Sequence, residues 1–234
     1  MAVTTPNPSA PADPRPALAA ALTPQGRAWL NEATARIAAR PTAIRALFPA
    51  ARRRCGHTPL TGHRTVDEAA RAVLLTALPL RGPALADELT HLHCHGDPAE
   101  QRAVLCALPL LDPGGPDGAG DLGDLALPLL RQALRGNDNT LIEAALGPYA
   151  AAHLPDAVYR QAVLKCVFCE IPLDRVAGLG DRADVELARM LADFARERIV
   201  AGRAVPEDIL PIVRSLASAN AAALYGTDGL DGVA

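Results

Sequence analysis

Aromatic residues are scarce, at 3% of 234 positions, and runs of β-branched residues are absent. That removes the material from which buried strands are made. A doubly wound α/β fold, the main rival to an all-helical one, needs such runs between its helices. No apolar run approaches the roughly 18–20 residues that span a bilayer, so no transmembrane segment is expected. Neither charge sign dominates: 23 basic residues face 26 acidic ones, for a net charge of −3. No global field therefore draws the chain to nucleic acid or to an anionic lipid surface. The N-terminus has neither the basic segment nor the apolar core of a signal peptide. Five cysteines, an odd number without regular spacing, offer no disulfide framework and imply reduced thiols in a cytoplasm.

What is abundant is Ala and Leu, small and straight-chain residues that favour helices. The pattern predicts one all-α domain over 22–224, with helices paired as antiparallel hairpins and stacked as a short solenoid of the HEAT or armadillo sort. A disordered leader over 1–21, rich in Ala, Pro, Thr and Asp, is expected before it, and a flexible tail over 225–234 after it.

Helix starts can be read directly. Thr23-Pro24 and Pro41 open the first two helices. Thr65-Val66-Asp67-Glu68 and Thr140-x-x-Glu143 fit capping boxes. Asp97-Pro98-Ala99-Glu100 adds Pro at the first helical position and is the strongest start in the chain. The segment 112–123 is the one long break. Residues 137–203 read as the organising stretch, containing three helices. The middle one, from Asp156 to about Glu170, is apolar on nearly all sides and so is expected to be central. The last, from Asp181 or Asp184 to Gly202, places Leu187, Leu191, Ala195 and Ile199 on one face. A final helix starts at Pro206.

An internal echo supports repetition. RAVLLTALPL at 71–80 and RAVLCALPL at 102–110 lie about 31 residues apart. AVLKCVFCEIPL at 162–173 is a looser third copy, and LALPLL at 125–130 a fragment of a fourth. Helical hairpins with a period of about 30–45 residues form solenoids, although Ala- and Leu-rich helices also resemble each other by chance.

Three clusters carry possible chemistry. His91, His93, Cys94 and His95 crowd one helix end, with His91 and His95 spaced to share a face. Imidazoles also favour helix C-termini through the dipole, and no second ligand pair closes a tetrahedral site; no metal is expected. Cys166-Val167-Phe168-Cys169 is a CxxC, but it ends a helix, where the dipole opposes a thiolate. Reduced, mostly buried cysteines are expected instead. The third set is Asn137, Asn139, Tyr149, Lys165, Arg182, Arg196, Glu197 and Arg198. It reads either as a ligand site or as a structural network in which a partly buried Lys165 pairs with Glu197 or snorkels.

The chain resembles the EboA family over roughly residues 22–215. The resemblance rests on ARPTAIRALFPAARR, VDEAARAVLLTALPL, GDPAEQRAVLCALPLL, NTLIEAALGPYAAAHL and the span from VLKCVFCEIPLDRVAGLGDR to ARERIVAGR. It implies a protein encoded beside enzymes of a bacterial cluster, among them a prenyltransferase-like membrane protein and sugar-phosphate-type enzymes. That cluster is linked with making or moving a secondary metabolite. It implies no defined activity for the family member itself and no cofactor. Members typically carry an aromatic-Ala-His-Glu-Arg run where this chain has Phe194-Ala195-Arg196-Glu197-Arg198, and Asn where it has Asp184. If the family His were catalytic, its absence here would speak against enzyme chemistry.

No nucleophile with a partnered base, phosphate-cradling Gly loop or paired carboxylates stands out. The sequence therefore points to a non-catalytic adaptor or small-molecule-binding helper, with other proteins of the same cluster and a small metabolite as partners. The alternative is an enzyme acting on a prenylated or aromatic intermediate through a Lys165/Glu197 acid–base pair.

Overall fold

The computed structural model describes residues 13–61, 64–112 and 122–214. Most of the expected 112–123 break and the whole 225–234 tail lie outside them. The described chain is helical almost throughout, as the composition requires. It forms two compact units, one ending at Leu154 and the other beginning at Pro155. The boundary falls at a proline, which lacks the N–H to continue a helix.

The first unit contains α1 (Arg15–Ala21), α2 (Pro24–Ala39), α3 (Ile44–Cys55), α4 (Val66–Thr76), α5 (Gly82–His95) and α6 (Pro98–Leu111). It continues with α7 (Leu127–Arg135), α8 (Asn139–Ala145) and α9 (Pro148–His153). Single 3-10 turns lead into α3 and α7. Between α3 and α4 the chain makes a short antiparallel ribbon, β1 (Pro59–Thr61) with β2 (Arg64–Thr65). α1 lies inside the expected disordered leader. Its Leu18 and the following Leu22 are one turn apart and both buried, so the helix has a core-facing edge that overall composition does not reveal.

The helix starts turn out in different ways. Thr23 caps α2 by accepting from the Gly26 N–H at 3.1 Å. Asp97 and Glu100 form the complete capping box of α6. The other two boxes do not form. Thr65 donates its hydroxyl to Asp67 Oδ1 at 2.6 Å, and Glu68 accepts from Arg102 instead of reaching back to the cap. At α8 the cap is Asp138, which accepts from the Thr140 N–H at 2.8 Å and also from the Thr140 hydroxyl. An anionic carboxylate takes the cap where a neutral hydroxyl was expected.

The central helix of this unit is α4. From Val66 to Ala72 every residue of α4 is buried, including Asp67, Glu68 and Arg71. Such burial of charge requires partners. Arg71 Nη1 donates to Asp67 Oδ2 at 2.8 Å, Arg71 Nε donates to the Phe48 carbonyl at 3.3 Å, and Glu100 Oε1 on α6 lies 3.7 Å from Arg71 Nη2. Arg102 on α6 is bound to Glu68 on α4 and lies 3.9 Å from Glu143 on α8. The echoed segments around Arg71 and Arg102 therefore lie on α4 and α6, which pack on each other, and α6 packs in turn on α8. A second cross-helix clamp joins Arg45 of α3 to Glu88 of α5 through two hydrogen bonds at 2.9 and 2.8 Å.

The second unit contains α10 (Asp156–Phe168), α11 (Leu179–Arg182) and α12 (Val185–Val200), followed by a 3-10 turn at Glu207–Ile209 that runs on helically to 214. Tyr159, Ala162, Val163, Cys166 and Val167 form the buried side of α10, but Phe168 is 63% exposed. On α12 the buried stripe is Leu187, Ala188, Leu191 and Phe194, whereas Ile199, expected on that face, is exposed. Both helices end in Schellman geometry. The Arg203 N–H reaches the Arg198 carbonyl at 2.8 Å around Gly202 (φ +66°), and the Ile171 N–H reaches the Cys166 carbonyl at 2.9 Å around Glu170. Glu170 has φ +56° and is the non-Gly residue with positive φ among those described.

Two expectations follow. Arg71→Ala should lower the unfolding free energy in urea by about 3–5 kcal/mol, because it leaves buried carboxylates without their cation. Glu170→Gly should raise stability by about 0.5–1 kcal/mol, since the left-handed conformation is cheap only for glycine; an unchanged or lower urea midpoint would contradict that.

Candidate functional site

The eight polar residues singled out from the sequence divide between the two units. Asn137 and Asn139 are exposed around the Asp138 cap of α8. Tyr149 is buried in α9, donates its hydroxyl to the Gly123 carbonyl and stacks at 4.5 Å on His153. Burial pushes its phenol up to about 12. His153 Nε2 lies 2.7 Å from Asp112, which also accepts from the Leu122 N–H at 3.0 Å. Tyr149 and this pair thus tie together the described ends of the 112–122 segment, a structural task.

In the second unit, Lys165 is half-buried on α10. Arg182 donates to Asp156 Oδ1 at 2.6 Å and lies 4.2 Å from the centre of the Tyr159 ring. Burial raises the Tyr159 phenol to about 12, and its hydroxyl donates to the Ala177 carbonyl at 2.7 Å. Arg196 pairs with Asp193 on the exposed face of α12. Arg198 donates to the Ala204 carbonyl at 2.5 Å and covers Phe194, securing the helix end. Glu197 is exposed, so it is no member of a partly buried cluster. Arg182 and Arg198 serve local structure.

The Cys/His motifs also resolve locally. His95 Nδ1 lies 2.8 Å from the His91 carbonyl, while His93 is buried and desolvation lowers its basicity. Among the described residues no group of three His, Cys, Asp or Glu is arranged for a metal. Of the five cysteines only Cys166 is fully buried, fewer than expected; Cys94 is exposed. Burial raises the thiols of Cys55 and Cys106 to about 11 and about 12, which keeps them protonated and unreactive at neutral pH.

A concave site lies elsewhere in the first unit. Helices α1, α2 and α4 line a half-open cavity of about 400 Å³, within the size range of small-molecule sites. Leu18, Leu22, Leu30 and Val73 supply apolar wall; Asn31, Thr34 and Thr76 supply neutral polar groups. Arg15 and Arg27 also line it, without a carboxylate among the lining residues. Both arginines fasten α1. Arg15 Nη2 donates to the Thr76 hydroxyl of α4 at 2.9 Å, and Arg27 Nη2 of α2 donates to the Ala19 carbonyl at 2.5 Å. An adjoining cavity of about 250 Å³ shares Arg15, Val73 and Thr76 and includes Asp13. The expectation of a disordered leader hid this site; the signal that pointed to it was the Leu18/Leu22 pair bracketed by Pro14, Pro16 and Thr23-Pro24.

The exposed placement of Glu197 gives a direct check. Glu197→Ala should change the unfolding free energy by no more than about 0.5 kcal/mol. Asp184→Ala should cost about 1–2 kcal/mol, because Asp184 caps α12 through the Leu187 N–H at 2.9 Å and also accepts from Arg160. Equal effects of the two changes in urea titrations would contradict this placement.

Comparison with curated proteins and with solved structures gives no match. A family model described as metabolite traffic protein EboA does match, over residues 49–214, which takes in the described chain from within α3 to the final helical turn. By that match the chain belongs to the EboA family.

Proposed function

We propose that this protein is a non-catalytic small-molecule-binding helper in bacterial secondary-metabolite biosynthesis and traffic, acting in the cytoplasm with other proteins of the same cluster. The observation that carries this reading is the cavity between α1, α2 and α4, about 400 Å³ with apolar walls and a few convergent polar groups. The family description as a metabolite traffic protein agrees with it. The succession of α4 on α6 and α6 on α8 supports a HEAT-like stack, whose faces suit adaptor contacts. The enzymatic alternative needs Lys165 and Glu197 to act on one substrate, and the exposure of Glu197 on α12 gives it less support, since general acid–base groups work in positioned, desolvated settings.

The test is to fill the cavity. The full chain carrying Val73→Trp, and separately Ala77→Trp, is compared with wild type by native mass spectrometry after incubation with small-molecule extract of producing cells. Wild type should retain a small molecule that both variants lose while their melting temperatures stay within a few degrees. Retention by both filled variants would overturn the cavity as the site. Turnover of a component of that extract, abolished by Lys165→Met, would decide for the enzyme.

A further inference from the structure

Resting on the reading that this cavity is the binding site, we propose that it selects an anionic amphiphile: a carboxylate or phosphate head held by Arg15 and Arg27, with an apolar body against α1 and α2.

The larger cavity is lined by two guanidinium groups and no carboxylate. Arg15 has a partial counter-charge in Asp13 at 3.4 Å, on the side of the adjoining cavity. Arg27 has one hydrogen-bond partner among the described residues, the neutral Ala19 carbonyl. A guanidinium carries five N–H donors in a fixed fork that matches the paired oxygens of a carboxylate or phosphate. Arg27 is exposed, so beyond that one hydrogen bond its donors face water, which an anion with paired oxygens can displace. An anion satisfies both the charge and the donors. A cation would add to the positive charge, and a neutral alcohol would satisfy few of the donors. Asn31 adds an amide to the same lining, while the Thr34 and Thr76 hydroxyls donate to the Asn31 and Val73 carbonyls of their own helices.

The rest of the lining sets the body of the ligand. Leu18, Leu22, Leu30 and Val73 present aliphatic surface without an aromatic ring, so a flexible hydrocarbon fits better than a stacked aromatic. Each methylene it buries should tighten binding by about fourfold. The walls on α1 and α2 lie before residue 49, where the family match begins, and only Val73, Thr76 and Ala77 lie within it. Head selection in this protein therefore depends on arginines outside the matched region.

The experiment is isothermal titration of the full chain with octanoate, octyl phosphate, 1-octanol and octylammonium, each at low and high salt. At least one anion should bind at least tenfold more tightly than the alcohol and the amine. That advantage should shrink with salt and fall by about tenfold in Arg27→Gln, with Arg15→Lys retaining most of it. Hexanoate, two methylenes shorter, should bind about sixteenfold more weakly than octanoate. Whichever of octanoate and octyl phosphate binds more tightly identifies the head as carboxylate or phosphate. Octanol or octylammonium binding as tightly as the anions, with Val73→Trp abolishing it, would overturn the anion selectivity and leave the cavity reading intact. Binding of no probe, or binding unaffected by Val73→Trp, would overturn both.

Discussion

Arg71 sits 1% exposed on the central helix of the first unit, and the arrangement around it depends on the partners that compensate its buried charge. Asp67 lies one turn away on the same helix and Glu100 on the next, while Phe48 contributes a carbonyl and, at 5.6 Å, a ring face. Arg102 repeats the theme one helix further on, held between Glu68 and Glu143. Replacing such pairs by well-packed apolar residues is often neutral or stabilising, so their role is poorly described as added stability. They act through what they forbid. Any sliding of α4 against α6 strands a charge in the core, and that penalty fixes register between Ala- and Leu-rich surfaces that would otherwise pack almost equally well in several ways.

The carboxylates of this network do not respond to pH alike. Burial works against ionised Asp67, but the Thr65 hydroxyl, His57 and Arg71 together outweigh it and hold the carboxyl below its usual value. Asp67 thus contributes stability above the ordinary carboxylate range, and loses it as pH falls through its depressed folded value. Glu100 is the reverse. Burial, with Asp97 adding to it, raises its carboxyl despite Arg71 and the backbone bond at the cap. Its ionisation at neutral pH subtracts from stability, and protonation on mild acidification restores some of it. The two contributions have opposite signs on the acid side.

Much of the helical content was legible because helix signals are local. Thr23, Asp97 and Asp184 are short polar side chains whose capping partners lie three residues on, so the sequence contains both halves of each interaction. Thr65 and Thr140 show the limit. Each has the spacing of a capping box, yet each hydroxyl donates to a neighbouring carboxylate, and the Glu of each box turns to Arg102 on another helix. The same long-range pairing hides the central place of α4, which carries three charges and looks amphipathic until its partners are known. The echo of Arg71-Ala-Val-Leu in Arg102-Ala-Val-Leu marked the ladder, and the third copy has Gln161, exposed, where the first two have arginine. Burial of a charged helix is a property of several helices at once.

The candidate site was less legible for a related reason. Chemistry-bearing residues attract attention in a sequence, and among those singled out here Tyr149, Arg182 and Arg198 make contacts that close a loop, clamp two helices or secure a helix end. A binding cavity is defined instead by surface left unfilled, which leaves no mark on residue type. Its walls join α4, from the matched family region, to α1 and α2, which precede that region. Helix α1 is too short to persist alone in water; its order comes from Leu18 and Leu22 in the core and from Arg15 and Arg27 fastening its two ends. The groups offered to a ligand are therefore the same groups that hold the wall in place. Under the proposed anion binding, a ligand drawing either guanidinium toward the cavity would compete with Thr76 or with the Ala19 carbonyl, and occupancy would then be thermodynamically linked to the docking of α1.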